Sequence, residues 1–236
     1  MNSIIDYVFS ETFFEAAWVT LYLTVVSMVL GIAGGLLLAL LKSGRVAPVR
    51  WAADFYIWLF RGTPVLLQLI FVFNVLPTLG LTLTPITCAI VALSLNEAAY
   101  MAEIIRGGLL GVDKGQRVAA HMLGLSPIQS LRYVILPQTA RLILPPTGNQ
   151  LIGMLKTSAL ASVVAVSDLL LTAQRQASGN FDYIGSLAAA AIYYLILTTA
   201  FTFLLRQCER RLDIDIRSDK RRRKGEKAGR VMEGAA

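Results

Sequence analysis

The residues best placed for chemistry in this chain are one carboxylate and a handful of hydroxyls and amides set inside apolar sequence. Glu97 interrupts a run that is uncharged from 62 to 96 and again from 98 to 102. It has no Lys or Arg three or four residues away with which to pair on a helix. Ser94 shares its helical face, and Asn96 stands beside it. A second polar group follows with Gln150, Thr157 and Ser158, where Thr147, Gln150 and Thr157 recur at the spacing of one helix face. A charge at mid-bilayer costs about 2.5–3.5 kcal/mol on insertion scales, so a carboxylate kept there needs a partner or a task. Glu97, Ser94, Asn96, Gln150, Thr157 and Ser158 are therefore the candidate solute-binding residues. The same side chains also suit hydrogen bonds that hold a helix bundle together, and the sequence leaves both roles open. Glu103 differs, because Arg106 lies three residues on and predicts a local ion pair. Arg61 has two candidate partners, Glu97 and a phospholipid.

Other chemistries are missing from the sequence. The only histidine is His121, so no Ser-His-Asp or Cys-His arrangement can be assembled. No GxxxxGK[ST] occurs, so this chain has no loop of its own to cradle ATP phosphates. Cys88 and Cys208 are far apart, one in an apolar run and one after the last, which predicts neither a disulfide frame nor a metal site. The chain is therefore expected to be no enzyme and to carry no cofactor or metal.

The elements that position these residues are membrane spans. Of 236 residues, 56% are hydrophobic and 16% charged, where a soluble domain carries roughly a quarter charged. Uncharged runs cover 16–41, 62–96 and 183–205, and roughly 20 apolar residues cross a bilayer as a helix. Five spans are predicted, at about 16–41, 55–76, 84–106, 136–157 and 184–206, with a helix break at 76–80, where Pro77 and Gly80 fall. Residues 1–15 hold Asp6, Glu11 and Glu15 and no Lys or Arg, the reverse of a leader's basic start, so the first run is read as a retained span. The fourth span is interrupted by Pro145, Pro146, Gly148 and Gly153. That pattern predicts a broken helix inside a bundle rather than one against lipid. Residues 157–183 are read as a loop with a short helix.

Basic residues orient the chain. With the N-terminus outside, the inside segments 42–54, 106–141 and 206–236 hold 3, 5 and 11 Lys and Arg, against 0, 0 and 2 in the outside segments 1–15, 77–83 and 156–183. The positive-inside rule then places the C-terminus in the cytoplasm. Eleven of the 22 basic residues lie from Arg206 onward, so the net charge of +7 belongs to a cytoplasmic tail, read as solvated and disordered rather than as a nucleic-acid surface. Trp18, Trp51 and Trp58 fall near span ends, as in an aromatic belt.

The longest inside loop has its own structure. Residues 116–123 are compatible with a helix, Gly124 suits a left-handed C-cap, Ser126 an N-cap and Pro127 a first helical turn. A second short helix is expected to end at the segment Val134, Ile135, Leu136 and Pro137. Two short helices at a rigid elbow look like a docking surface. Here the sequence resembles the permease subunits of ABC importers, whose signature is Glu-Ala-Ala, three residues, Gly, nine residues, then Ile-x-Leu-Pro. This chain has Val118-Ala119-Ala120, Gly124 and Val134-Ile135-Leu136-Pro137 at that spacing, with Val118 and Val134 as the departures. Further segments resemble the polar amino-acid subfamily of histidine, glutamine and arginine type: 60–64, 98–108, 144–150 and 155–162.

The resemblance implies an all-α membrane protein of the type I importer class, with five spans and a two-helix coupling loop over about 107–137. It divides the chain into an extracytoplasmic segment 1–15, a permease domain 16–206 and a basic tail 207–236. It also implies a bacterial inner-membrane location, a second permease chain, a pair of ATP-binding subunits that carry ATP and Mg, and an extracytoplasmic solute-binding protein. Val118, Ala119, Ala120, Gly124, Leu136 and Pro137 are the expected contacts to the ATPase, and the cavity residues are expected to hold the charged ends of an amino acid. Two other readings are weighed against it: the same architecture carrying an opine, ectoine or other amine-bearing solute, and a proton-coupled carrier using Glu97 as relay. The second leaves the docking loop without a purpose.

Overall fold

A computed structural model describes residues 2–44 and 46–212; the tail from 213 to 236, with the expectations attached to it, lies outside the described residues. The described chain is helical, without a strand. After a short helix α1 (Asn2–Val8), α2 (Glu11–Lys42) starts at an N-cap, Ser10, whose hydroxyl accepts from the Phe13 N–H. Three helices are long and apolar enough to cross a membrane: α2, α5 (Pro85–Gly111) and α10 (Tyr183–Leu212). Two bent helix pairs bring the candidate crossings to as many as five, counting each pair as one span.

The packing of α2 on α5 organises the bundle. A Cβ on Gly31 would come within 2.6 Å of Glu97 Cγ, and one on Gly35 within 2.5 Å of Met101 Cβ and 2.9 Å of the Ala102 nitrogen. On α5 the facing residues are small: Ala98, Ala99 and Ala102 are buried. Lipid tails are as apolar as leucine, so nothing hydrophobic drives two spans together, and close backbone approach through small residues supplies the attraction instead. Leu23, Leu69, Leu93 and Met154 then fill the core that joins these helices to their neighbours. Near one end of the pair, Lys42 Nζ bridges Asp54 at 2.8 Å and Glu103 at 2.9 Å, and Arg106 adds a 2.7 Å bond to Glu103. The expected Glu103–Arg106 pair is thus one part of a four-residue network.

The second span is not the single helix expected over 55–76. It consists of α3 (Ala47–Gly62) and α4 (Val65–Val75), the latter extended by a 3-10 turn, with a change of direction of 104° between the two halves. The break falls at Thr63, which is extended at φ −113°, ψ 145°. Pro64 follows, and its ring pushes the preceding residue out of the α region.

The fourth span departs from expectation in the other direction. Neither Pro137 nor the pair Pro145 and Pro146 breaks the helix. A short α7 (Pro127–Ser130) passes through a π-helical turn at Leu131–Ile135 into α8 (Leu136–Thr157), which contains both later prolines. The Leu136 N–H donates to the Leu131 carbonyl, one residue beyond the usual helical partner, and this wider turn carries the chain past the missing N–H of Pro137. A 3-10 segment (Ser158–Val164) leads to α9 (Leu169–Asn180), the short helix expected in that region.

The loop elbow forms as its sequence predicts. Helix α6 (Lys114–Met122) ends with Gly124 at φ 76°, its N–H on the His121 carbonyl at 2.9 Å and the Leu125 N–H on the Ala120 carbonyl at 3.1 Å. That pair of bonds is a Schellman cap. Ser126 and Gln129 then form a reciprocal capping box on α7.

The α2–α5 contact gives a direct expectation. Gly35→Ala forces a methyl into backbone and Met101, and overpacking of this kind costs about 1–3 kcal/mol. Thermal unfolding of the purified protein in detergent should show a clear drop. Gly107→Ala, where a Cβ would meet nothing within 4 Å, should unfold at the parent temperature or above it.

Candidate functional site

The turn at Thr63 and Pro64 opens one wall of a cavity of about 510 Å³, whose other walls are α5 and α8. Helix α5 supplies Asn96, Glu97 and Tyr100; α8 supplies Gln150, Gly153 and Thr157; the turn supplies Arg61 and Thr63. Residues 97 and 100 project together because they are three apart on one helix, as do 150, 153 and 157. Fifty-three positions separate Glu97 from Gln150, and only the packing of α5 beside α8 joins them.

Glu97 is 3% exposed. Its carboxylate accepts from Gln150 Nε2, at 3.3 Å to one oxygen and 3.4 Å to the other. Its stem lies against Gly31, the one residue type that leaves room for it. No ion pair to Glu97 occurs among the described residues. Arg61 lines the same cavity, with its guanidinium carbon 5.3 Å from the centroid of the Tyr100 ring. That distance suits a cation–π contact. Of the two partners proposed from sequence, Glu97 makes no ion pair with Arg61 among the described residues, and the guanidinium rests on an aromatic face. The cavity therefore holds one acidic and one basic side chain that form no ion pair with each other.

The turn that carries Arg61 is fixed by amides. Gln68 Nε2 donates to the carbonyls of Phe60 at 2.9 Å and Thr63 at 3.2 Å, and to Thr63 Oγ1 at 2.8 Å. Asn96 Nδ2 donates to the Phe60 carbonyl and to Gln68 Oε1, both at 3.0 Å. These bonds satisfy the carbonyls that the proline break leaves without helical partners. Asn96 thus lines the cavity while its amide nitrogen is engaged in holding the turn.

Of the candidate residues, Glu97, Asn96, Gln150 and Thr157 meet around the cavity, whereas Ser94 and Ser158 do not line it. Ser158 Oγ donates to the Leu155 carbonyl at 2.8 Å, a local bond back onto the last turn of α8. The Ser94 hydroxyl is buried elsewhere. Arg61, Thr63 and Tyr100 were absent from the candidate set. Tyr100 sits three residues after Glu97, a spacing that could have pointed to it; the approach of the 61–64 turn left no such sign.

A second surface lies on the loop elbow. Of the residues expected to dock there, Ala120 is buried at the cap, and Val118, Ala119, Gly124, Leu136 and Pro137 are exposed. Beside them Met122, Leu123 and Ile128 are between 77% and 81% exposed. This is an apolar patch on a rigid mount, of the kind that marks a protein contact.

Residues 31–214 match the family described as the inner membrane component of binding-protein-dependent transport systems. The chain belongs to this family. It is 39% identical over 199 residues to the arginine transport system permease protein ArtQ of Bacillus subtilis, covering 84% of this chain and 91% of that protein. It is 40% identical over 206 residues to the glutamine transport system permease protein GlnP of Escherichia coli, covering 85% and 92%. The L-cystine transport system permease protein TcyB of Bacillus subtilis matches at 38% over 195 residues, covering 82% and 83%. Among solved structures, an amino acid ABC transporter crystallised with histidines superposes with a TM-score of 0.81 at 39% identity, covering 85% of this chain and 94% of that one. The MetNI methionine transporter shares the fold, with a TM-score of 0.68 at 23% identity. This protein is therefore a multi-pass membrane subunit of a transport system, and its cavity lies inside the family fold.

Proposed function

We propose that this permease subunit conducts a polar amino acid into the cell by alternating access, and that the Glu97 cavity receives it. The observation that carries this reading is the separation of Glu97 from Arg61 in one cavity. An α-amino acid brings an ammonium and a carboxylate, and each would find its opposite charge waiting, with Gln150, Thr157 and the Thr63 hydroxyl as further polar contacts. A cavity of about 510 Å³ falls in the range of small-molecule sites. The systems named for the relatives, arginine, glutamine and cystine, agree in this: all three cargoes are polar amino acids.

The rest of the cycle follows from the two surfaces. The N-terminus is placed outside and the C-terminus inside, on the balance of basic residues. A solute-binding protein delivers cargo on the outer side, and a pair of ATP-binding subunits, carrying ATP and Mg, seats on Val118, Met122, Leu123 and Ile128 on the inner side. A second permease chain, identical or not, completes the membrane part. Outward-open and inward-open arrangements differ by a few kcal/mol, and each partner shifts the balance by binding one arrangement better.

Three measurements test this. Glu97→Gln keeps shape and amide-like bonding but removes the charge, which is worth about 1.5–3 kcal/mol in a charged hydrogen bond. The assembled complex should lose roughly tenfold to a hundredfold in apparent cargo affinity, read as the half-saturating concentration for stimulated ATP hydrolysis. If the half-saturating concentration is unchanged in a well-assembled complex, Glu97 does not hold cargo.

Gly124→Trp should leave the spans intact, because it lies outside them, but strain the left-handed cap and displace the partner surface. Stimulated ATP hydrolysis should fall to its basal level while thermal unfolding of the membrane part stays put. Normal coupling would remove the elbow from the ATPase interface.

For orientation, single cysteines replacing Gly179 and Gly115 in a background free of Cys88 and Cys208 should react with a membrane-impermeant reagent from outside and inside respectively. Labelling of position 115 from outside would reverse the assignment.

A further inference from the structure

Two amides at the cavity are fixed in orientation, and their orientation bears on which kind of nitrogen the cavity accepts. Phe60 lies four residues before Pro64, so the helical donor to its carbonyl would be the N–H that proline lacks. Two side-chain nitrogens donate to it instead, Gln68 Nε2 at 2.9 Å and Asn96 Nδ2 at 3.0 Å. A backbone carbonyl can only accept, so the amide atom that faces it must be nitrogen, and neither side chain can be turned over. Gln68 Nε2 also donates to the Thr63 carbonyl at 3.2 Å, and Gln68 Oε1 accepts from Asn96 Nδ2 at 3.0 Å. An asparagine amide has two N–H bonds, and here both are engaged. Asn96 lines the cavity, and the polar atom its side chain has left is Oδ1, an acceptor. Gln68 is not among the residues lining the cavity, yet it completes this polarity.

Gln150 is polarised in the same sense. Its Nε2 faces both oxygens of Glu97, at 3.3 and 3.4 Å, which leaves Oε1. Asn96 Oδ1 and Gln150 Oε1 accept no bond among the described residues, and neither is sealed into the packing. With the Glu97 carboxylate, three acceptor groups from α5 and α8 therefore line one cavity. A primary ammonium has three N–H bonds to match them. A secondary amine, such as that of an opine, has one fewer and sets a carbon against an oxygen. A quaternary ammonium has none, and is held by open aromatic faces instead. Tyr100 is the only aromatic residue lining the cavity, and its ring is already faced by the Arg61 guanidinium.

We propose that the cavity selects a primary ammonium through Glu97, Asn96 Oδ1 and Gln150 Oε1, and that Gln68 is the positioning residue that presents Asn96 as an acceptor. This rests on the reading that an amino acid occupies the cavity, and adds that N-alkylated cargo is refused. A site built to accept N–H bonds rejects an analogue lacking them, because its polar groups give up water and gain no partner.

The test measures binding to the assembled transporter complex without its solute-binding protein, so that the membrane site alone discriminates. A panel of the proteinogenic L-amino acids is screened, and the tightest binder is titrated against its Nα-methyl and Nα-trimethyl forms. The free amino acid should bind about tenfold more tightly than the Nα-methyl form and about a hundredfold more tightly than the Nα-trimethyl form, the range for hydrogen bonds to a charged group. Equal affinity for free and methylated forms would overturn the selectivity while leaving an amino-acid site in place. No binding by any member of the panel would remove the amino-acid reading itself, and this inference with it. Asn96→Leu keeps roughly the shape of the amide without its oxygen, and should lower the ratio of free to Nα-methyl affinity about fivefold. Gln68→Met, outside the cavity, leaves one Asn96 N–H unpaired and should lower that ratio about threefold. The ratio compares two ligands on one protein, so a loss of stability alone does not move it. A ratio unchanged in either variant overturns the proposal.

Discussion

Glu97 can sit where it does because α2 has no side chain at Gly31. A methyl there would collide with both Cβ and Cγ of Glu97, and the carboxylate could not be held against Gln150. The same helix repeats the condition at Gly34 and Gly35, against Ala98, Met101 and the Ala102 backbone. Two long helices are locked at van der Waals distance, and the remaining spans assemble around that pair. In a bilayer this is the affordable way to hold two helices, since burying leucine against lipid or against protein makes little difference. The Lys42–Asp54–Glu103–Arg106 network then pins the register of α2, α3 and α5 at one end.

Prolines act in opposite ways in this bundle, and the contrast explains the site. At Pro64 the chain breaks, and the freed carbonyls of Phe60 and Thr63 are taken up by Gln68 and Asn96. The break is stable because side-chain amides stand in for the lost backbone donors, and it swings Arg61 over Tyr100. At Pro145 and Pro146 the helix runs on, half-buried between its neighbours. A proline alone does not decide between these outcomes; the donors around it do.

The loop elbow and the cavity belong to one helical rod. From Pro127 the backbone is continuous through the π turn to Thr157. Pro137 and Gln150 are therefore separated by about 20 Å of helix, at 1.5 Å per residue. The Schellman cap at Gly124 and the capping box at Ser126 remove slack at the start of the rod. A displacement of the elbow reaches Gln150, Gly153 and Thr157 without crossing a flexible joint, which is the physical requirement for a two-state element biased from either end.

Much of this was legible in the sequence. That the chain crosses a membrane several times followed from its uncharged runs, because a bilayer of fixed thickness imposes a length on any helix that crosses it. The elbow was legible down to single residues, since Gly124, Ser126 and Pro127 act through local backbone preferences that need no partner. Glu97, Gln150 and Thr157 were recognisable as candidates because charge and polarity inside apolar sequence are costly wherever the chain folds. Tertiary structure decided the rest. Whether Pro64 or Pro137 would break a helix depended on amides and turns supplied by other segments. Ser94 and Ser158, chosen by type and spacing, turned away from the cavity because α5 and the end of α8 present other faces to it. Arg61 was drawn to Tyr100 by a 104° turn that Pro64 starts locally but whose angle is held by amides from other segments. Short-range preferences and the cost of burying charge are written residue by residue; which side chains meet across helices depends on how closely backbones approach, and here that is set by three glycines on α2.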